Sequence, residues 1–288
     1  MKKITQKYSL AVDAKQISAK IEAAKQSAKN INPEALKQCF NSIDLTTLNA
    51  ADTISQVKKM AEKVSNFSNV YRDLPNVSAI CVYPALVNTV RKYLTDKKVN
   101  IASVAAGFPA SQTFVDVKIK ESILAIENGA DEIDIVISIG RFLEQDYDFV
   151  YEEIEQIKKA IGNIRLKVIL ETGALKDLQL IRTAALLAME AGADFIKTST
   201  GKFYDAATPE AVCVMCEAIG DYKEQSGRLV GIKPSGGIST AAEAIVYYNI
   251  LKLTLGESWL NSKLFRIGAS RLANNLLTEI VGLEAAYF

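Results

Sequence analysis

Three lysines stand in apolar settings where lysine is uncommon: Lys167 in RLKVILET, Lys197 in DFIKTS and Lys233 in LVGIKP. Each reads as a strand residue, and an ammonium among apolar neighbours is costly unless paired. Carboxylates occur in similar settings, at Asp44 in SIDLT, Asp134 in DEIDIVIS and Glu171 in RLKVILET. The chemistry with most consequence belongs to Lys197 and Lys233. Two ammonium groups brought close in a desolvated pocket disfavour each other's charge, and a lysine brought down to roughly 7–8 is an amine nucleophile at neutral pH. Such an amine adds to a carbonyl and forms a Schiff base. Asp134 is suited to moving protons through a water or to neutralising a lysine. Alternation puts it on one face with Glu132, although Asp131 and Glu132 also read as the entry turn. A plainer reading, barrel-interior salt bridges without catalysis, fits the same spacing.

What is missing narrows the chemistry further. The chain has no histidine, which removes Ser-His-Asp and Cys-His catalysis and every His-containing metal site. Four cysteines remain. Cys81 sits in the apolar run AICVYP, and Cys213 and Cys216 spell CxxC. That pair lies inside TPEAVCVMCEAIGDYK, a helical pattern with Thr208 as cap and Pro209 in the first turn. Residues three apart on a helix are neighbours on one face, and no second CxxC completes a zinc site. STGK suggests the end of a nucleotide P-loop, but Ile196 and Phe203 stand where that pattern needs glycine and Ser or Thr.

Three turns are rich in small residues: STGK after Lys197, PSGGIST after Lys233, and IGASR near the end. Such turns let backbone N–H groups converge on an anion.

To bring these residues together the chain must alternate strands and helices. The short apolar runs SIDLT, SAICVYP, NIASVAAG, DEIDIVIS, RLKVILET, DFIKTS, LVGIKP and FRIGA read as strands. Helical patterns follow them near 51–65, 84–96, 111–128, 146–161, 175–191, 208–224, 239–255 and 269–284. Strands apolar on both faces suit a parallel sheet covered by helices, and eight units favour an α/β fold of the (β/α)8 TIM barrel kind. In that fold chemistry gathers at the C-terminal ends of the strands, where the turns after strands seven and eight often hold phosphate. Residues 8–29 and INPEALKQC read as extra helices, so residues 1–40 form an N-terminal helical extension and 41–288 a single barrel domain.

These motifs resemble those of the deoxyribose-phosphate aldolases, class I enzymes on a (β/α)8 barrel. The matching stretches are IDLTTL (43–48), ICVYP (80–84), GADEIDIVI (129–137), LKVILETG (166–173), ADFIKTSTGK (193–202), IKPSGGI (232–238) and FRIGAS (265–270). The resemblance implies reversible, metal-independent cleavage of 2-deoxy-D-ribose 5-phosphate to D-glyceraldehyde 3-phosphate and acetaldehyde, without cofactor, in deoxyribose phosphate catabolism. It implies Lys197 as Schiff-base lysine, Lys233 as the lysine that tunes it, and Asp134 as proton relay. It further implies a substrate and phosphate pocket built from Asp44, Thr46, Cys81, Thr200, Gly201, Lys202, Gly236, Gly237, Ile238, Ser239, Gly268, Ala269 and Ser270. Tyr287, by the C-terminal AAYF, is matched to a tyrosine that covers the site in some relatives. Arg271 stands where relatives often carry a second serine, and Ser239 where some carry arginine. Two other functions remain: a Schiff-base aldolase for another phosphosugar, and a phosphosugar-binding relative without catalysis.

A formal net charge of +1 argues against a nucleic-acid or acidic-membrane partner. No apolar run approaches the roughly 20 residues of a membrane span, and the basic start lacks the apolar segment of a secretory signal. A reducing cytoplasm is expected, with a homodimer as the default assembly.

Overall fold

In the computed structural model, which describes residues 2–204 and 207–288, the apolar runs form eight short strands. They are β1 (Ile43–Thr46), β2 (Ala79–Val82), β3 (Asn100–Val104), β4 (Glu132–Val136), β5 (Arg165–Ile169), β6 (Phe195–Lys197), β7 (Gly231–Lys233) and β8 (Ile267–Ala269). Neighbours in sequence pair in parallel from β1 to β7, and β8 pairs with β1, Ile43 opposite Ile267. Bridges Ile232–Phe265 and Ser235–Gly268 draw β8 to β7, so the sheet curls into a (β/α)8 barrel.

Helices α1 (Lys2–Lys7), α2 (Ala14–Ser27) and α3 (Pro33–Asn41) precede the barrel. Around it run α4 (Ile54–Val70), α5 (Val87–Tyr93), α6 (Val115–Glu127), α7 (Ile139–Leu143), α8 (Tyr147–Ile161), α9 (Thr172–Leu175), α10 (Leu178–Glu190), α11 (Pro209–Ser226), α12 (Ala241–Leu255) and α13 (Leu272–Val281). None is long and apolar enough to cross a membrane. The extra N-terminal helices lie outside the barrel, α2 against α11 and α12, and α3 against α12 and α13. Lys20 reaches Glu217 at 2.7 Å, and the Asn249 amide donates to the Ala24 carbonyl at 3.2 Å.

Helix starts follow caps more closely than periodicity. The pattern from residue 8 suggests one helix, yet α2 begins at Ala14 because the Asp13 carboxylate accepts from the amides of Lys15 and Gln16. Likewise α10 begins at Leu178 behind the Asp177 cap, after the separate turn α9. α11 starts from Thr208 and Pro209 as its sequence indicates, and it buries Cys213 and Cys216 on its length as free thiols.

Inside the barrel the side chains divide unevenly. β2 and β3 contribute small apolar groups, Ala79, Cys81, Ala102 and Val104, which pack with Leu48. The other strands send in Asp44, Glu132, Asp134, Lys167, Lys197 and Lys233, all buried, with buried Arg266 entering just ahead of β8.

A second buried charge cluster lies between the outer helices. Lys118 on α6 is fully buried, pairs with Glu153 at 2.5 Å and donates to Ser111 and Ser138 at 2.7 and 2.9 Å. Removing one partner of such a pair strands the other, whereas removing both is far milder. Lys118→Met is therefore expected to cost about 3–5 kcal/mol in denaturant unfolding, and K118M/E153L to recover most of it. A single variant as stable as the double would show that Glu153 finds another partner.

Candidate active site

Lys197 and Lys233 end adjacent strands and sit opposite each other in the β6–β7 register. Asp134 on β4 takes both: its Oδ2 accepts from Lys197 Nζ at 3.0 Å and from Lys233 Nζ at 2.8 Å. Its Oδ1 holds Lys167 at 2.6 Å. Asp44 Oδ2 meets Lys233 at 2.5 Å, and Asp44 Oδ1 meets Arg266 at 2.6 Å. Below them Glu132 joins Lys167 at 2.6 Å and Arg266 at 2.9 Å, and also Arg165. The result is a continuous ladder of charge through the barrel.

The ladder sets the two lysines apart. Burial opposes the charge of Lys233, but Asp134 and Asp44 outweigh it and raise its proton affinity above that of an ordinary lysine. Lys197 has the opposite balance: burial first, then Lys233, lower its proton affinity against the pull of Asp134. Burial works against the charge of Asp134 as well, yet Lys167, Lys233 and Lys197 hold it ionised well below the usual carboxylate range. One lysine is thus kept charged while its neighbour is biased toward the free amine.

Lys197 looks into a cavity of about 630 Å³ at the C-terminal ends of the strands. Of the residues expected there, Thr46, Thr200, Gly201, Lys202, Gly236, Gly237, Ile238, Ser239, Gly268, Ala269, Ser270 and Arg271 line it. Gly236 and Gly237 take φ of 87° and 76°, conformations open to glycine, and curl the chain into a concave turn suited to an anion. Thr198 and Ser235 lace this turn to the one after β6: the Ser235 amide donates to the Thr198 hydroxyl at 2.9 Å, which donates to the Ser235 carbonyl at 3.1 Å. Lys202 Nζ donates to the Leu48 carbonyl and so crosses to the turn after β1.

Four expected positions behave differently. Asp44 does not line the cavity; it lies a layer deeper, ion-paired with Lys233 and Arg266. Cys81 is buried in the apolar half of the interior, where burial pushes its thiol above the ordinary range. The Ser239 amide is committed to Glu243 at 2.9 Å, within the capping box of α12, so only the remainder of the residue faces the cavity. Tyr287 is not part of the wall. Its hydroxyl donates to the Lys63 carbonyl at 2.8 Å, and its ring packs on Phe67 and Tyr71. Asn274 holds the backbone of Phe288 from both sides, at 2.9 and 3.0 Å, and Phe288 takes the place at the cavity.

Several wall residues escaped the sequence reading. Lys59 and Lys63 on α4 are exposed at the rim, and with Lys202 and Arg271 they make it cationic. Four apart on a helix, they share a face, but nothing local separates them from ordinary surface lysines. Glu132, which in sequence also reads as a turn residue, lies in β4 and is fully buried in the ladder.

Gly268 is where backbone approach is tightest. A Cβ there would stand 2.6 Å from Ser235 Cβ and 3.1 Å from Lys233 Cε. Gly268→Ala is expected to shift both groups and lower kcat about a hundred-fold with the circular dichroism spectrum unchanged. Unaltered kcat would mean that Ser235 swings aside freely.

The family model described as DeoC/LacD family aldolase matches residues 39–247. A Caenorhabditis elegans relative is 44% identical over 270 residues, covering 92% of this chain and 88% of its own. Human deoxyribose-phosphate aldolase is 40% identical over 281 residues, 93% of this chain and 88% of its own. A solved structure from Coccidioides immitis superposes with a TM-score of 0.72 at 26% identity, covering 94% of this chain and 99% of that one. The match spans the strands that carry Asp44, Asp134, Lys197 and Lys233, and the chain belongs to the DeoC/LacD aldolase family.

Proposed function

We propose that this protein is a deoxyribose-phosphate aldolase, cleaving 2-deoxy-D-ribose 5-phosphate reversibly to D-glyceraldehyde 3-phosphate and acetaldehyde. The observation that carries this reading is the shared oxygen of Asp134, which joins two lysines whose proton affinities are shifted in opposite directions at the floor of a cation-rimmed cavity.

The neutral Lys197 amine adds to C1 of the open-chain sugar, and loss of water from the carbinolamine gives an iminium. The C3 hydroxyl proton passes to the water that Asp134 and Lys233 orient, which carries it until it is returned to C2. The C3–O pair becomes the carbonyl of glyceraldehyde 3-phosphate, and the C2–C3 bonding pair moves into the enamine. Protonation at C2 and hydrolysis then release acetaldehyde and the free amine. Asp134 is held so strongly ionised by its lysines that it acts best by fixing their positions and orienting the water. The turns at 200–202, 236–239 and 268–270, with the cations of the rim, suit the phosphate. Its binding, remote from the broken bond, orients the sugar. Charged groups of the protein do this work, so the rate is expected to be indifferent to chelators. Four buried, free cysteines favour a reducing compartment such as the cytoplasm.

The decisive test is borohydride reduction during turnover of deoxyribose 5-phosphate, read by peptide mass spectrometry alongside acetaldehyde release. A reduced adduct on Lys197 together with acetaldehyde is expected. An adduct on another lysine, or acetaldehyde without any adduct, overturns the assignment.

A further inference from the structure

At the opposite end of the barrel, around the starts of the strands, lies a second cavity of about 540 Å³. Its wall carries five cations, Arg72, Lys98, Arg165, Lys263 and Arg266, against one carboxylate, Asp96. Asp96 is already occupied, accepting from the Asn76 amide and from the backbone amide of Lys98, each at 3.0 Å. Among the described residues nothing pairs with the side chains of Arg72, Lys98 or Lys263.

Arg266 and Arg165 form the floor of this cavity and the lower end of the charge ladder. Arg266 is buried, and both guanidiniums lie over the Phe195 ring, at 5.9 and 5.8 Å. Lys197 aside, the buried rungs of the ladder balance, Lys167, Lys233 and Arg266 against Asp44, Glu132 and Asp134, and Arg165 adds one more cation at the cavity. The ladder meets solvent at Arg165, whose side chain is 31% exposed, so its unbalanced positive charge faces this mouth. The volume is in the range of small-molecule sites and exceeds that of inorganic phosphate. Ser68 and Asn41 lie on the remaining wall, suited to a polar body attached to the charge.

We propose that this N-terminal mouth of the barrel is a second anion site, taking a phosphate-bearing small molecule between Arg165, Arg266 and the unpaired cations Arg72, Lys98 and Lys263. It is separate from the cavity above Lys197, and no residue lines both.

Equilibrium dialysis with radiolabelled inorganic phosphate tests the site in the full-length protein. The wild type is expected to take up one more equivalent per chain than R72A/K263A, whose substitutions lie far from Lys197 and leave the melting temperature and aldolase rate unchanged. Equal uptake by both proteins overturns the proposal and leaves the mouth as a barrel-closing ion-pair network. Lys98→Glu is the second arm. It reverses an exposed charge at the same wall, and it should lose the same equivalent; retention at the wild-type level counts against the site. Because only the remote mouth is altered, the outcome does not depend on the aldolase reading.

Discussion

Lys197→Met lowers kcat for deoxyribose 5-phosphate cleavage by at least about ten-thousand-fold and abolishes borohydride trapping, while the protein stays folded. The size of the loss follows from the chemistry: without an amine there is no iminium, and the neighbouring Lys233 is held in its charged form by Asp134 and Asp44. The retained fold follows from the ladder. Methionine fills most of the lysine volume, and Asp134 keeps Lys167 and Lys233 at 2.6 and 2.8 Å, so no carboxylate is stranded. Thermal melts should therefore move little while turnover disappears. Residual turnover within tenfold of wild type would transfer the nucleophile's role elsewhere and sink the mechanism.

Lys233→Met is expected to move the alkaline-going limb of the pH–rate profile to higher pH. The sign comes from the Lys197 environment. Burial and the Lys233 charge both favour its neutral form, and Asp134 opposes them. Deleting the Lys233 charge removes one of the two favourable influences and leaves the opposing carboxylate in place. Lys197 then stays protonated to higher pH. At neutral pH the rate should fall about a hundred-fold, the scale of a lost acid–base contribution, and partly recover as the pH is raised. Lys233→Arg keeps the charge and should keep the limb near its wild-type position even where misplacement slows turnover. A profile that falls in height without moving would show that Lys233 acts only by geometry.

The barrel was legible because each strand is a short apolar run and each crossover helix has ordinary helical spacing. The nucleophile was legible for a related reason: a lysine inside such a run stands out. Arg266 shows what local reading misses. In FRIGAS it looks like a strand-edge residue, and only closure of the barrel brings it to Asp44 and Glu132, separated by 222 and 134 positions in the chain. Tyr287 shows the converse. Its type fits a site lid, but its environment is decided by the aromatic pocket of Phe67 and Tyr71, which lies far away in sequence. Lys59 and Lys63 are rim residues because α4 presents that face to the cavity, a choice made by the buried Val57, Ala61 and Val64 on its other side.

The in-register pairing of Lys197 with Lys233 has a consequence for how this chemistry can change. Their spacing is dictated by the hydrogen-bond repeat between neighbouring parallel strands, about 4.8 Å, rather than by the packing of helices around them. Extensive replacement of the outer helical surface should leave the pair intact. A one-residue insertion or deletion within β6 or β7 turns one ammonium out of the barrel and separates them at once. The catalytic couple is in that sense a property of the sheet, tolerant of substitution around it and intolerant of any change in chain length through it.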